Sequence, residues 1–270
     1  MKYIAEQYSK YEYPLIPSEA DLGAYQYFID EYVDRAGDST FNVLICGVTP
    51  HLVSLKYPES TFILGVDFTE EMIQYIWPGD IPNKRQALKA NWLDMKVEPS
   101  SIDIMLGDGS LNFLDAAAYD VFLRKAAGFL KPQGIMINRI FLSNNYDSPE
   151  ECYRGIFEKR YAHLTEFRLK FMQSLQRDES DGVLMAEVYD QWMNMNPDVE
   201  AIAKQTGYDV SIIEGMNLYK NKQAKLYFHP EHFHETLMRK YFQEVESIRP
   251  ESNMGDVVPV IAAKKPTLRV

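Results

Sequence analysis

Four short apolar segments, rich in β-branched residues, constrain the fold of this chain more than any other feature. They are residues 41–48, 61–66, 101–106 and 134–141. Each is nearly continuously apolar and ends at or near a glycine, aspartate or asparagine, a pattern typical of strands that are buried on both faces. Helical segments are expected between them, at 69–77 and 116–130. This alternation predicts a parallel α/β sheet with right-handed crossovers.

The composition narrows the class of protein. With 46% hydrophobic residues, a chain of 270 residues can bury a large core, so we expect one elaborated domain. No apolar run approaches the roughly eighteen residues that a membrane span needs, so no membrane partner is expected. The net charge of −11 would repel a polyanion, which argues against nucleic acid as a partner. The two cysteines, Cys46 and Cys152, suggest no disulfide framework and fit a reducing cytoplasm. Nothing in the sequence indicates the oligomeric state.

The second half of the chain predicts a block of helices between strands. Ser148 and Glu151 have the spacing of a capping box. Apolar residues then follow at intervals of three and four as far as Leu175, which predicts one long amphipathic helix. Further helices are expected at 183–195 and 199–206. Because this block interrupts the strand alternation, we expect a helical insertion that covers one end of the sheet.

The end of the chain returns to mixed structure. A strand is expected at 224–228, a helix at 230–242 and a last strand at 257–263. We therefore divide the chain into four parts. They are 1–38, a tyrosine-rich leader with a helix near 21–36; 39–145, the core of the sheet; 146–223, the insertion; and 224–270, a strand–helix–strand segment that completes the sheet.

Several residues with binding chemistry follow the predicted strands. Gly47 ends the first strand, where a glycine lets the backbone approach a ligand, and Asp67 ends the second, where a carboxylate can accept both ribose hydroxyls of an adenosine cofactor. The alternatives are a simple turn at Gly47 and a local cap at Asp67 ahead of Thr69. Asp108, between two glycines, fits a contact with a cationic ligand, a wall of a substrate site or a solvated turn. Trp92 is either a ligand contact or an ordinary core or surface aromatic.

Together these features resemble the class I S-adenosylmethionine-dependent methyltransferase family. The likeness covers residues 41–141 and the tail from Ala224, which is more than half of the chain. It implies an α/β fold: a doubly wound, mostly parallel, seven-stranded, Rossmann-like sheet with an antiparallel last strand and a helical insertion. It also implies S-adenosylmethionine as the cofactor.

The resemblance further implies which residues hold that cofactor. Gly47, Val48 and Thr49 correspond to the loop that contacts the methionine part, Asp67 to the carboxylate on the ribose, Phe68, Asn91 and Trp92 to the residues around adenine, and Asp108 and Gly109 to the loop that lines the methyl channel. The sequence departs from the family at two of these positions. Its loop has Gly47 alone, where two or three glycines are usual, and Asn91 stands where an aspartate is usual.

Methyl transfer to a small-molecule acceptor, at oxygen or nitrogen, is the activity that the resemblance implies, with the leader and the insertion as acceptor lid. Such a displacement needs alignment and exclusion of water, so no catalytic residue is assigned. Two alternatives stay open: a noncatalytic S-adenosylmethionine-binding or adaptor protein, and a nicotinamide-dependent oxidoreductase, against which the missing G-x-G-x-x-G counts. No metal site is expected, because His232 and His234 would lie about 200° apart on a helix.

Overall fold

The computed structural model describes residues 8, 11–37, 40–143, 147–178 and 180–267. The chain forms two compact units. The first consists of Met1–Ser18 and Leu142–Pro230 and is called the helical unit; the second consists of Glu19–Phe141 and Glu231–Val270 and is called the sheet unit. Tyr3 of the predicted leader lies outside the described residues. Within the described part of the chain, no helix combines the length and the apolar character that crossing a membrane requires.

The helices and strands of the described residues are numbered in chain order, and they alternate through the first half of the chain. The helices are α1 (Glu19–Ala36), α2 (Pro50–Val53), α3 (Glu70–Ile76), α4 (Ala116–Phe129), α5 (Pro149–Phe157), α6 (Leu164–Ser174), α7 (Met185–Asn194), α8 (Val199–Thr206), α9 (Val210–Ile213) and α10 (Glu231–Met238). The strands are β1 (Asn42–Cys46), β2 (Phe62–Asp67), β3 (Arg85–Lys89), β4 (Ile102–Asp108), β5 (Leu130–Arg139), β6 (Val183–Leu184), β7 (Lys225–Leu226), β8 (Phe242–Ile248) and β9 (Val260–Pro266).

The sheet unit contains a seven-stranded sheet in the order β3-β2-β1-β4-β5-β9-β8. Strands β1 to β5 pair in parallel. Strand β9 is antiparallel to both of its neighbours. This confirms the predicted fold, a mostly parallel, doubly wound sheet with an antiparallel last strand. After β1 the chain continues to β2, on the side of the β3 edge, and after β4 it continues to β5, on the side of the β8 edge. Their carboxyl ends therefore flank the switch point at which open α/β sheets bind ligands.

The strand predicted at 224–228 is wrong as part of this sheet. Only Lys225–Leu226 is extended, and it pairs with Val183–Leu184 in a separate two-stranded sheet of the helical unit. The strand that completes the large sheet is β8, where the sequence predicted no strand. Its residues, FQEVESI, carry polar side chains at most positions because β8 lies at the edge of the sheet, where burial is partial. The helix expected to reach 242 ends at Met238.

The long amphipathic helix expected from Ser148 to Leu175 is also wrong, because the structure has two helices there, α5 and α6. The predicted capping box is present at the start of α5. Lys159 has a φ of 55°, which ends the right-handed helix. Tyr161 then donates from its hydroxyl to the carbonyl of Cys152, 3.1 Å away, and its ring is buried. The apolar spacing continues through this turn because Tyr161 is buried there, and a buried turn residue fits the three- and four-residue spacing of a helix face.

Strand β3 was not identified from its residues, RQALK, because its side chains are half-buried or exposed and carry no apolar run. It is the edge strand opposite β8.

Helix α1 belongs to the sheet unit and is tied to it by a buried carboxylate. Asp103, on β4, accepts the Tyr32 hydroxyl at 2.9 Å, the backbone amide of Asn42 at 2.8 Å and the Lys131 ammonium at 2.8 Å. Its side chain is 2% exposed. Because three donors from three elements converge on one carboxylate, Asp103 joins α1, β1 and β5 to β4.

We predict that Asp103→Asn lowers the free energy of unfolding by about 2–4 kcal/mol, because the amide loses the charge pair and turns an N–H group toward one of the donors. The matched control is Asp120→Asn, which affects an exposed pair with Lys240 and is expected to cost at most about 1 kcal/mol. Equilibrium denaturation by urea measures both variants. Equal losses in the two variants would contradict the role given to Asp103.

Candidate functional site

Gly47 leaves β1 in a conformation that favours glycine. Its φ is +113°, and a Cβ at this position would find no atom within 4 Å. Its amide donates to the carbonyl of Val66 at 2.8 Å, so the loop is tied to the end of β2. The loop thus presents open space at the carboxyl edge of the sheet, where a ligand can approach the backbone closely.

The Val66 carbonyl is shared by a second candidate segment. Trp92 follows β3, and its indole nitrogen donates to the same carbonyl at 2.6 Å. A carbonyl oxygen has two lone pairs, so it can accept both donors. The Gly47 loop, the end of β2 and the segment after β3 therefore meet at one oxygen atom, next to Asp67.

Asp67 makes the local contact that was weighed as an alternative to ribose binding. Its Oδ1 accepts the amide of Thr69 at 2.7 Å. Burial raises the pKa of Asp67, while hydrogen bonds from Thr69 and Phe68 lower it by less. A carboxylate has room for about four donors on its two oxygens, so the turn and ribose binding are compatible. The assignment of Asp67 to the ribose stays a prediction.

The residues expected around adenine differ in exposure. Phe68 is 71% exposed, which is unusual for a large apolar ring. Trp92 is half-buried, and Asn91 is exposed. The Oδ1 of Asn91 accepts the amide of Leu93 at 2.9 Å, so this side chain also shapes its own turn. Phe68 and Trp92 thus leave apolar surface that a flat ring could cover.

The loop after β1 continues into a very short helix. The Val48 side chain is buried, so only its backbone could contact a ligand. Thr49 occupies the N-cap position of α2 and makes no capping hydrogen bond with its side chain. Helix α2 ends after four residues, at Val53. Val48 and Thr49 therefore lie beside Gly47 at the carboxyl end of β1, and their contact with the methionine part of a cofactor stays a prediction.

Asp108 is not a solvated turn residue. Its side chain is 6% exposed and pairs with Arg139, whose Nε lies 2.6 Å from Oδ1. Arg139 also pairs with Asp21 of α1, through Nη1 at 3.1 Å. Burial raises the pKa of Asp108, against the lowering effect of Arg139. The carboxylate is thus held rigidly at the end of β4.

Three residues of this buried cluster were missed in the sequence: Arg139, Asp21 and Tyr25. The Tyr25 hydroxyl donates to the carbonyl of Gly107 at 2.6 Å and accepts the amide of Arg139 at 2.7 Å. One signal was present, because Asn138 and Arg139 interrupt an otherwise apolar strand. A charged residue in a buried strand requires a partner of opposite charge, and Asp108 was the available candidate.

The glycines around Asp108 are explained by close packing. A Cβ on Gly107 would lie 2.2 Å from both Asn138 Oδ1 and Ser110 Oγ. Gly109 has a φ of +63°, and a Cβ there would lie 2.7 Å from the Phe141 ring. Neither position tolerates a side chain without displacing its neighbours. The loop after β4 is therefore packed tightly against the end of β5.

We predict that Asp67→Asn melts at a higher temperature than the native chain at neutral pH. Because burial raises the folded-state pKa of Asp67 above its usual 3.8, the protonated form favours folding; that contribution is complete below the unfolded-state pKa and is lost as pH rises through the folded-state pKa. Asparagine keeps the acceptor for Thr69 and carries no charge. The two melting temperatures should converge in acid.

Asp120→Asn provides a control of opposite sign. Slight burial raises the pKa of Asp120, but hydrogen bonds from Lys240 and Tyr241 outweigh it and lower the pKa. This variant should therefore be the less stable one at neutral pH and approach the native chain in acid. If Asp67→Asn were less stable than the native chain at neutral pH, the inference that burial of the charged Asp67 carboxylate destabilises the fold would be refuted.

No family model and no curated protein matches this sequence. Solved structures do match. The chain is similar to the CMeT domain of the citrinin polyketide synthase, with a TM-score of 0.51 and 10% identity over 97% of this chain and 55% of that chain. It is similar to a Rhodobacter sphaeroides protein described as a zinc-dependent alcohol dehydrogenase, with a TM-score of 0.54 and 10% identity over 96% of this chain and 97% of that chain. A Methanosarcina mazei S-adenosylmethionine-dependent methyltransferase aligns with a TM-score of 0.49 and 12% identity over 89% of this chain and 97% of that chain.

These likenesses concern the fold alone, since identity is low and the described activities differ. The chain spans about half the length of the citrinin synthase chain. The mostly parallel, seven-stranded sheet with an antiparallel last strand, β9, is the arrangement that the resemblance implied. The chain therefore has a Rossmann-like fold, with a seven-stranded, mostly parallel sheet.

Proposed function

We propose that this chain is an S-adenosylmethionine-dependent methyltransferase that binds its cofactor at the carboxyl edge of the sheet unit. The observation that carries the proposal is the shared Val66 carbonyl. It joins the Gly47 loop to the segment of Trp92, beside the carboxylate of Asp67. Three segments assigned separately from the sequence are thus adjacent in space.

The residues at this edge suit the parts of that cofactor. The open space above Gly47 accommodates its amino-acid part close to the backbone. Asp67 can accept the ribose hydroxyls, since Thr69 occupies only part of its capacity. The exposed Phe68 and the half-buried Trp92 offer faces for the adenine ring. In this proposal Asp108, fixed by Arg139, faces the cofactor's ammonium group.

The cofactor, when bound, supplies a methyl carbon already activated by sulfonium charge. The chain's own residues then have to bind, orient and exclude water, and the rate comes from alignment. We propose a small-molecule acceptor that is attacked through oxygen or nitrogen, and we assign no catalytic base. Cys46 and Cys152 are both buried free thiols, which supports a protein of the reducing cytoplasm.

Calorimetry with S-adenosylmethionine tests the binding site. We predict that the native chain and the Asp120→Asn control bind S-adenosylmethionine with the same affinity. The affinity of Asp67→Asn should be lower by about tenfold or more, because a carboxylate holds hydroxyl donors more strongly than an amide does. NADH should not bind. Equal affinity of both variants, or binding of NADH in place of S-adenosylmethionine, would refute the assignment, and the second result would favour the oxidoreductase.

Turnover separates an enzyme from a binding protein. Conversion of S-adenosylmethionine to S-adenosylhomocysteine is followed with a panel of phenols and amines as acceptors. Turnover that falls with Asp67→Asn and not with Asp120→Asn supports the enzyme. Tight binding with no turnover across the panel would instead favour the noncatalytic S-adenosylmethionine-binding protein.

Tryptophan fluorescence reports on the adenine contact. If Trp92 packs on adenine, cofactor binding should change the emission of the native chain, and Trp92→Phe should abolish that change and weaken binding about threefold to tenfold through loss of the indole hydrogen bond. Trp192→Phe, in the helical unit, is the control and should retain the change. A signal that survives in Trp92→Phe would place adenine elsewhere.

A further inference from the structure

A buried arginine in the helical unit has no acidic partner among the described residues. Arg168 lies on α6 and is 1% exposed. No ion pair joins it to a carboxylate in the described part of the chain. Glu166, two residues earlier, instead accepts the amide of Ala162 at 3.1 Å. An arginine keeps its charge even when buried, so the unit holds an uncompensated cation.

Two tyrosines surround this guanidinium. Its central carbon lies 5.0 Å from the centre of the Tyr11 ring and 5.1 Å from that of Tyr219. Its Nη2 donates to the Tyr219 hydroxyl at 2.8 Å. Cation–π contacts and hydrogen bonds with two neutral tyrosines, Tyr11 and Tyr219, recover only part of the hydration that a buried charge loses.

One edge of the guanidinium remains incompletely used. Nε is buried and has no hydrogen-bond partner in the described structure. Nε and Nη2 lie on the same edge and project parallel N–H bonds, the fork that matches the two oxygens of a carboxylate. Nη2 carries two hydrogens, so the bond to Tyr219 leaves one of them for this fork.

We propose that Arg168 binds the carboxylate group of a small-molecule ligand. Nε and Nη2 donate to the two carboxylate oxygens, and the Tyr219 hydroxyl donates to one of them. Tyr219 is buried, whereas Tyr11 is half-buried. The ligand therefore enters by displacing the Tyr11 ring, and its negative charge compensates the arginine. This site lies within the helical unit, so it stands whether or not the sheet unit binds S-adenosylmethionine.

The test uses the full chain and benzoate as the probe, at constant ionic strength. Benzyl alcohol is the neutral counterpart of benzoate, and inorganic phosphate is the other anion. The variants are Arg168→Met, Tyr219→Phe and, as control, Arg154→Met on α5, whose arginine is 63% exposed and paired with acidic neighbours. Calorimetry measures affinity, and thermal unfolding without ligand measures stability.

We expect benzoate to bind the native chain and Arg154→Met, with benzyl alcohol at least tenfold weaker. Arg168→Met should weaken benzoate at least tenfold, and Tyr219→Phe should weaken it by a smaller factor. Without ligand, Arg168→Met should melt at the native temperature or above it, because methionine removes a buried charge and keeps similar bulk.

Other outcomes would overturn the proposal. A markedly lower melting temperature of Arg168→Met would make the arginine a structural element. Equal binding of benzoate to Arg168→Met and the native chain would place the carboxylate elsewhere. Phosphate binding tighter than benzoate would overturn the assignment to a carboxylate. Tyr219→Phe keeps the buried charge, so native affinity for benzoate in this variant would also overturn the proposed contact.

Discussion

The carbonyl of Val66 is the contact on which the candidate site depends. Backbone groups at the carboxyl end of a parallel strand have no further strand partner, so they must be satisfied by loops or water. Here one oxygen accepts the Gly47 amide and the Trp92 indole. Two loops from different parts of the sequence are thereby fixed to β2 at Val66, the residue directly before Asp67. The position of Asp67 against both loops follows from this backbone geometry rather than from its own side-chain contacts.

Buried arginines have opposite surroundings in the two units. Arg139 contacts two carboxylates, Asp108 and Asp21, so its charge is compensated within the protein. Arg168 contacts tyrosines instead. A compensated charge orients its partners and has a structural explanation, whereas an uncompensated charge lowers stability until an anion binds. This contrast is why Arg139 is interpreted as a residue that positions Asp108 and Arg168 as one that binds a ligand.

The sequence predicted the central part of the fold well and its edges poorly, for one physical reason. Strands β1, β2, β4 and β5 are largely buried, and burial requires the apolar runs that identified them. Strands β3 and β8 lie at the two edges, where polar side chains are tolerated and the run disappears. Contacts distant in sequence were equally invisible: Tyr25 reaches Gly107 and Arg139 from α1, and no local pattern encodes such a pairing.

The candidate site residues assigned from the sequence share a property that most of those missed lack. Gly47, Asp67 and Asp108 come at the ends of apolar strands, so the strand itself marks them. Arg139 also ends an apolar strand, but it was taken as part of the apolar segment and not as a separate charged residue. Asp21 lies in the first turn of a helix, where acidic residues are common, so its charge drew no attention. A strand end therefore indicates where a ligand can bind, while the residues that hold the ligand-facing side chains in place come from elements packed behind it. The second group follows only from the fold, because a buried charge reveals its function through its partner.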